Sequence, residues 1–270
     1  MNDKVFEVGL LVKLEVEAGP EAAIQKIADF GLHCCHISTY EPENYTDDVR
    51  ERLRAATTEK QVRIAALWAG WPGRRVWDLN EGPETIGLVP YDVRQERADM
   101  IKQGATFAAA LGIPTVITHL GFIPEDPKDE RYTSLLPVLI DIASHCANLG
   151  LTLCFETGQE TPVALLRVIE DMGMDNVGIN LDPANLLLYG KGNPTDAIDV
   201  FGKYVRGVHV KDGEYPTDGR NLGQEKPVGE GRVNFPLFLE KLWDAGYRGE
   251  LCIESEFKGD EQLRAIETTK

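Results

Sequence analysis

Short apolar runs alternate with longer amphipathic stretches along the chain, and this alternation constrains the fold more than any other feature. The apolar runs predict eight strands, at 5–12, 33–38, 62–68, 114–118, 151–156, 177–182, 205–210 and 250–254. The amphipathic stretches predict helices at 20–30, 46–59, 91–111, 131–149, 161–172, 194–202, 234–245 and 259–269. Eight such units in 270 residues predict an α/β fold, a (β/α)8 TIM barrel.

Glycines and the absence of linkers support one continuous barrel. Gly112, Gly150, Gly173 and Gly246 follow predicted helices, where the backbone often turns with positive φ. No proline- or serine-rich linker interrupts residues 1–270, so the sequence predicts a single domain. The competing fold is a doubly wound open sheet, which usually carries a glycine-rich phosphate turn after an early strand. The chain has no GxGxxG or GxxxxGK[ST] motif there, so the barrel is favoured.

Charge and cysteine usage exclude several classes of protein. The net charge is −16, and a surface of this sign repels phosphate backbones and anionic lipids, so neither nucleic acid nor a membrane is an expected partner. No stretch has the 18 or more apolar residues of a membrane span, and no secretory signal is visible. The five cysteines lack CxxC spacing, which predicts free, buried thiols. These features together predict a cytoplasmic protein.

The cluster His33-Cys34-Cys35-His36 suggests structural zinc at first sight. It lies on a predicted strand, however, where neighbouring side chains point to opposite faces and cannot share one ion. A zinc site in this segment is therefore not expected.

A more informative set of polar residues stands at the ends of the last four predicted strands. These residues are Glu156, Asp182, His209 and Glu254. The alternation of side chains places each of them on the small or polar face of its strand, opposite the bulky apolar face that would pack on the helices. Because the carboxyl ends of barrel strands meet at one mouth, we expect the four side chains to converge there.

Three carboxylates and one imidazole would repel one another unless a cation lay between them. Mixed oxygen and nitrogen ligands suit Mn²⁺, Mg²⁺, Co²⁺ or Zn²⁺, and the sequence does not choose among these ions. The sequence therefore predicts one divalent metal ion as cofactor. The alternative is that each residue is only a solvated charge at a strand end.

Several segments resemble a known family. They are FETGQETPVALL, GINLDPANLLLYGKGNP, VRGVHVKDGEYPTD, GEGRVNF and CIESE, and they are similar to the xylose isomerase-like superfamily of sugar phosphate isomerases and epimerases. The resemblance extends over essentially the whole chain and is densest at 151–256. It implies that Glu156, Asp182, His209 and Glu254 bind one divalent metal, with both glutamates beside a sugar substrate. It also implies a homo-oligomer, a dimer or tetramer.

The chain departs from the ketose 3-epimerases of this superfamily at three positions that hold substrate hydroxyls. Asn185 stands where those enzymes have histidine, Tyr215 where they have arginine, and Pro162 where they have a second glutamate. These differences put 3-epimerisation of a free ketose in doubt and leave the predicted metal site intact.

Chemistry at such a site would begin with removal of a proton next to a carbonyl. A metal ion stabilises the enediolate that forms, and epimerisation needs a base on one face of the carbon and an acid on the other. We predict Glu156 and Glu254 as this catalytic pair, while Asp182 and His209 mainly hold the ion. The alternative is that both glutamates only bind the metal and a nearby residue moves the proton.

Weaker signals predict further substrate contacts. The candidates are His119 at the end of strand four, Gln159, Glu160 and Asn185 on the following loops, Lys211 and Asp212 after strand seven, and Trp71 and Arg74 in the long segment 70–90. The length of this segment is typical of a lid or binding loop. Lys226 and Arg232 leave recognition of a phosphate open.

Three other functions compete with the isomerase or epimerase. A lyase or dehydratase acting on a keto-sugar or inosose, including one that cleaves keto-glycosides, would use the same metal and base. A DNA-repair endonuclease of the same superfamily would need several metals and many histidines, whereas this acidic chain has five histidines. A non-catalytic metal- or sugar-binding protein is the third alternative.

Overall fold

The computed structural model describes residues 5–270, and the predicted barrel is confirmed. Eight parallel strands form it: β1 (Val8–Lys13), β2 (Cys34–Thr39), β3 (Arg63–Ala69), β4 (Thr115–His119), β5 (Thr152–Glu156), β6 (Val177–Leu181), β7 (Val205–Val210) and β8 (Leu251–Ile253). Each strand pairs with the next along the chain, and β8 also pairs with β1, which closes the sheet. All strands therefore end at the same mouth.

Helices surround this sheet in the predicted order. They are α1 (Pro20–Asp29), α2 (Asp47–Lys60), α3 (Gly82–Thr85), α4 (Tyr91–Leu111), α5 (Glu130–Asn148), α6 (Pro162–Met172), α7 (Pro183–Leu188), α8 (Pro194–Phe201), α9 (Phe235–Asp244) and α10 (Gly259–Thr269). The two short helices α3 and α7 lie in segments predicted as loops. None of the helices in the described part of the chain has the length and apolar character of a membrane span.

The predicted alternation along the strands separates two apolar layers. Outward side chains such as Leu153, Phe155 and Ile179 pack with the helices in the main core. Inward side chains such as Cys154 and Trp68 pack in a smaller cluster inside the barrel. All five cysteines are free and buried, as predicted. The layers leave the inward face of β5–β8 for the polar residues.

Local capping fixes the end of β6. Asp182 follows the strand with an extended backbone, and its Oδ1 accepts a hydrogen bond of 2.9 Å from the backbone N–H of Asn185. Pro183 occupies the first turn of α7, where its missing N–H and fixed φ are no disadvantage. The same carboxylate therefore begins a helix and leaves Oδ2 free to face the barrel mouth.

Candidate metal centre and substrate cavity

The structure brings the four strand-end residues together at the mouth of the barrel. One ligand atom each from Glu156, Asp182, His209 and Glu254 lies within 4.8 Å of the other three. His209 Nδ1 lies 2.5 Å from Glu156 Oε1 and 2.7 Å from Glu254 Oε2. This is the convergence that the alternation along β5–β8 predicts.

The electrostatics of this cluster fit a divalent cation. Asp182 is fully buried, and its Oδ2 has no hydrogen-bond partner among the described residues. Burial raises the pKa of this carboxyl, and the neighbouring Glu254 and Glu156 carboxylates raise it further, against the opposing effect of Lys211. Burial alone would lower the pKa of His209, but the adjacent Glu156 and Glu254 carboxylates raise it to about 10. The cluster thus holds a proton where a metal ion would supply positive charge.

A cavity of about 330 Å³ opens beside the four residues. Its lining includes three carboxylates, Glu156, Glu254 and Glu256, and the aromatic side chains of Tyr40, Trp68, Trp77 and Tyr189. Aromatic faces beside carboxylates and amides suit a polyhydroxylated ligand, which has both apolar C–H faces and hydroxyl groups.

Three of the predicted substrate-binding residues line this cavity: His119, Gln159 and Asn185. His119 Nδ1 donates a hydrogen bond of 3.1 Å to the main-chain oxygen of Glu156. Burial lowers the pKa of His119, and Nε2 of the neutral ring is an acceptor that lies 3.4 Å from Glu156 Oε2. Gln159 is buried near the Tyr189 hydroxyl, and neither atom of its side-chain amide makes a hydrogen bond of ordinary geometry to a described residue. A bound hydroxyl group would satisfy these atoms.

Other predicted contacts lie behind the cavity wall. Lys211 is buried and donates hydrogen bonds to Glu254 Oε1 at 3.2 Å and Glu256 Oε1 at 2.5 Å, so it orients a candidate ligand. Glu160 is also buried, and it accepts a hydrogen bond of 3.3 Å from the backbone N–H of Gly158.

The structure corrects the prediction for the long segment after β3. Trp71 is fully buried behind Trp68, with 5.8 Å between the ring centroids, and the exposed Arg74 pairs with Glu81. Among the described residues that line the cavity, Trp68 and Trp77 are present and the predicted Trp71 and Arg74 are not. The sequence shows that tryptophans lie in and next to this segment. It does not show which of them is buried and which lines the cavity, because that depends on packing.

Trp68 has a second role, which is not among the predictions from the sequence. Its indole Nε1 donates a hydrogen bond to Glu156 Oε2, and Asn180 Nδ2 lies 3.4 Å from Glu156 Oε1. Both residues lie on the inward face of their strands, so the alternation already contained the signal. Glu156 is therefore held at both carboxylate oxygens.

Asp212 organises a loop instead of lining the cavity. Its carboxylate accepts four backbone hydrogen bonds, from Gly213 at 2.8 Å and from Gly229, Gly231 and Val233 at 3.0 Å. This anchors the loop that contains a two-stranded ribbon, in which Asp212–Gly213 pairs with Glu225–Lys226.

Asp212→Asn is expected to lower the free energy of unfolding by about 2–4 kcal/mol. The amide oxygen replaces one carboxylate oxygen, whereas the NH₂ group faces N–H donors that lose their acceptor, at about 1–3 kcal/mol each. Urea denaturation measures the change, with the exposed Asp175→Asn as control. Equal stability of the two variants would contradict this account of the loop.

The fold and the site together define a class: a closed (β/α)8 barrel with a candidate divalent-metal centre at the ends of its last four strands. The family model for the xylose isomerase-like TIM barrel matches residues 24–269. The chain belongs to this family, as the sequence resemblance indicated.

Similar proteins agree with this assignment. The crystal structure of a xylose isomerase domain protein from Planctomyces limnophilus is 32% identical, with a TM-score of 0.91, over 98% of this chain and 95% of that one. The human protein named "Putative hydroxypyruvate isomerase" is 25% identical over 78% of this chain and 76% of its own length. Uncharacterized protein MJ1311 of Methanocaldococcus jannaschii is 27% identical over 61% of this chain, which spans 58% of that protein. A D-tagatose 3-epimerase-like protein, 21% identical, shares the fold with a TM-score of 0.74 over 97% and 95% of the two chains.

Proposed function

We propose that this chain is a metal-dependent isomerase or epimerase that acts on an unphosphorylated sugar or a related small hydroxycarbonyl compound. The observation that carries the proposal is that Glu156 and Glu254 belong both to the candidate metal centre and to the cavity lining. Both belong to the four-residue cluster that fits a divalent ion, and both line the adjacent cavity. Two carboxylates so placed can move protons at a carbon whose carbonyl group lies beside the ion.

The charges around the cavity favour a substrate without phosphate. Three glutamates line it, and the described lining residues include no lysine or arginine. The nearby Lys211 ammonium group is already paired with Glu254 and Glu256. A phosphate dianion would add its charge to these carboxylates without a cationic partner, which is unfavourable in a partly buried site.

The side chains of the cluster have two roles in such a reaction, metal binding and proton transfer. Glu156, Asp182, His209 and Glu254 would hold Mn²⁺, Mg²⁺, Co²⁺ or Zn²⁺. The ion would stabilise the negative charge that develops on the enediolate. One of the two glutamates takes the proton from carbon at a carboxylate oxygen, and the other returns a proton from a different side of the substrate.

Further residues position the two glutamates and the substrate. Trp68 Nε1–H and Lys211 Nζ orient the carboxylates of Glu156 and Glu254, respectively. His119 Nε2 and the Gln159 amide meet hydroxyl groups. In this proposal Trp77, which lines the cavity, packs against the apolar face of the sugar.

A sugar panel tests the proposed function directly. The protein is incubated in D₂O with Mn²⁺ or Mg²⁺ and with free ketoses, aldoses and hydroxypyruvate, and in parallel with the phosphorylated sugars. Proton NMR is expected to show an interconverting pair with one deuterium at the reacting carbon, and kcat/KM at least about tenfold higher for the free substrate, since one unpaired charge contact costs more than 1 kcal/mol.

Other outcomes of the panel support the alternatives. Loss of water or of an aglycone would identify the lyase or dehydratase instead. A preference for the phosphorylated sugars would overturn the substrate class. Metal binding without turnover across the panel would favour a binding protein.

Three features predicted from the sequence remain part of the proposal. They are a single domain over residues 1–270, a cytoplasmic location, and assembly as a dimer or tetramer. Light scattering of the purified protein measures the last of these.

A further inference from the structure

A line of polar side chains runs down the interior of the barrel from the candidate metal centre. His209 Nε2 lies 3.1 Å from His36 Nδ1, and His36 Nε2 lies 3.0 Å from Glu250 Oε1. Both imidazoles are fully buried. Glu250 immediately precedes β8, at the end of the barrel opposite the mouth, where its Oε2 lies 3.4 Å from an Arg63 nitrogen.

The geometry of this line fixes where each proton resides. The Glu250 carboxylate can only accept, so His36 Nε2 carries a proton and donates it. A neutral His36 then has a lone pair on Nδ1, which accepts from His209 Nε2–H. Without a metal ion, His209 Nδ1 also carries a proton, which lies between the carboxylates of Glu156 and Glu254. A metal ion bound there would displace this proton and leave the lone pair of His209 on Nδ1. If His36 Nδ1 instead donated a proton to His209 Nε2, a neutral His36 would face the Glu250 carboxylate with an Nε2 that carries no proton. With a proton on both nitrogens, His36 would be a buried cation.

The residues around the two imidazoles leave room for this arrangement. Gly207 lies on β7, two residues before His209, and a Cβ atom there would lie 2.5 Å from Asn180 Oδ1 and 3.7 Å from His36 Cε1. A buried imidazole between two polar partners costs free energy unless both of its nitrogens are hydrogen-bonded, and here both are.

We propose that His36, anchored by Glu250, is a positioning residue that holds His209 as the Nε2–H tautomer and presents its Nδ1 to the metal ion. This inference rests on the proposed metal-binding function, and it assigns a role to a histidine that contacts neither the ion nor the substrate cavity. Partners of this kind orient a ligating histidine and raise its basicity, and their loss typically costs 10–100-fold in metal affinity.

Two variants separate hydrogen bonding from packing. In His36→Asn, the side-chain oxygen replaces Nδ1 as the acceptor for His209 Nε2–H. In His36→Leu, an apolar side chain of similar size removes the acceptor. Titration calorimetry with Mn²⁺ is expected to show affinity 10–100-fold lower for His36→Leu and within a few-fold of the original protein for His36→Asn. The exposed His33→Leu, three residues earlier, serves as the matched control.

A spectroscopic measurement on the unaltered protein makes the test independent of how the variants fold. Nitrogen-15 NMR of histidine-labelled protein loaded with Zn²⁺, a diamagnetic probe, distinguishes the two tautomers of each of the five histidines. His209 is expected to carry its proton on Nε2. A proton on Nδ1 of the Zn²⁺-loaded form, or full Mn²⁺ affinity in His36→Leu, would overturn the inference. Absence of Mn²⁺ and Zn²⁺ binding in the unaltered protein would instead overturn the proposed metal site.

Discussion

Glu254→Gln is expected to lower kcat/KM for sugar interconversion by about 10²–10⁴-fold, the range that loss of a positioned acid or base commonly costs. Glutamine keeps the shape of the side chain and one oxygen ligand, so the principal change is loss of a group that can exchange a proton. Glu156→Gln is expected to have an effect of the same size. The measurement is the interconversion assay in D₂O, with Mn²⁺ at saturating concentration for each variant.

The two variants are expected to differ in which substrate still exchanges its proton. If Glu156 and Glu254 approach one carbon from different sides, each variant keeps the base that serves one member of the epimeric pair. Deuterium should then enter one epimer in Glu156→Gln and the other epimer in Glu254→Gln. The exposed Glu240→Gln removes the same charge on helix α9 and should exchange both. Exchange lost equally from both epimers in both variants would show that the glutamates only bind the ion.

Removal of the metal ion is expected to abolish turnover and to lower the melting temperature by about 5–10 °C. An ion present at 100 times its dissociation constant stabilises the folded state by about 2.7 kcal/mol. For a chain of this size, each kilocalorie changes the melting temperature by about 2–4 °C. Differential scanning fluorimetry before and after treatment with EDTA, followed by addition of Mn²⁺, measures both the loss and its recovery.

Asp182→Asn isolates the charge of one predicted ligand. Asparagine caps a helix as well as aspartate does, so the start of α7 is preserved while the carboxylate is lost. The variant should fold and should show little or no increase in melting temperature with Mn²⁺. Asp175→Asn, on the exposed turn before β6, should respond like the unaltered protein. An equal response of both variants to Mn²⁺ would place the ion elsewhere.

The sequence contained most of the barrel because its signals are local. The period of two in β5 and β6 separates Phe155 from Glu156 and Ile179 from Asn180, and the folded structure keeps that separation. Asp182 followed by Pro183 also contained a local signal for the start of α7. The segment does not show a clear helical pattern, because six residues are too few for one.

The parts of the site that escaped prediction depend on contacts between distant segments. Nothing near Trp68 or Trp71 in the sequence shows that the first donates to Glu156 while the second is buried behind it. The pairing of His36 with His209 joins residues 173 positions apart, and the strand register shifts between Cys35 and His36. Such contacts are set by the closure of the barrel, which places β2 and β7 three strands apart around one narrow interior.

The five buried thiols can report local opening of the folded chain. They are distributed over β2, α5, β5 and β8, and burial raises the pKa of Cys146 and Cys154 to about 12, which suppresses the reactive thiolate. A thiol reagent can therefore reach each sulfur only when its own segment opens. The rate at which each cysteine is labelled measures how often its segment opens. A ligand bound at the barrel mouth should slow labelling of Cys154 on β5 and Cys252 on β8 more than labelling of the other cysteines.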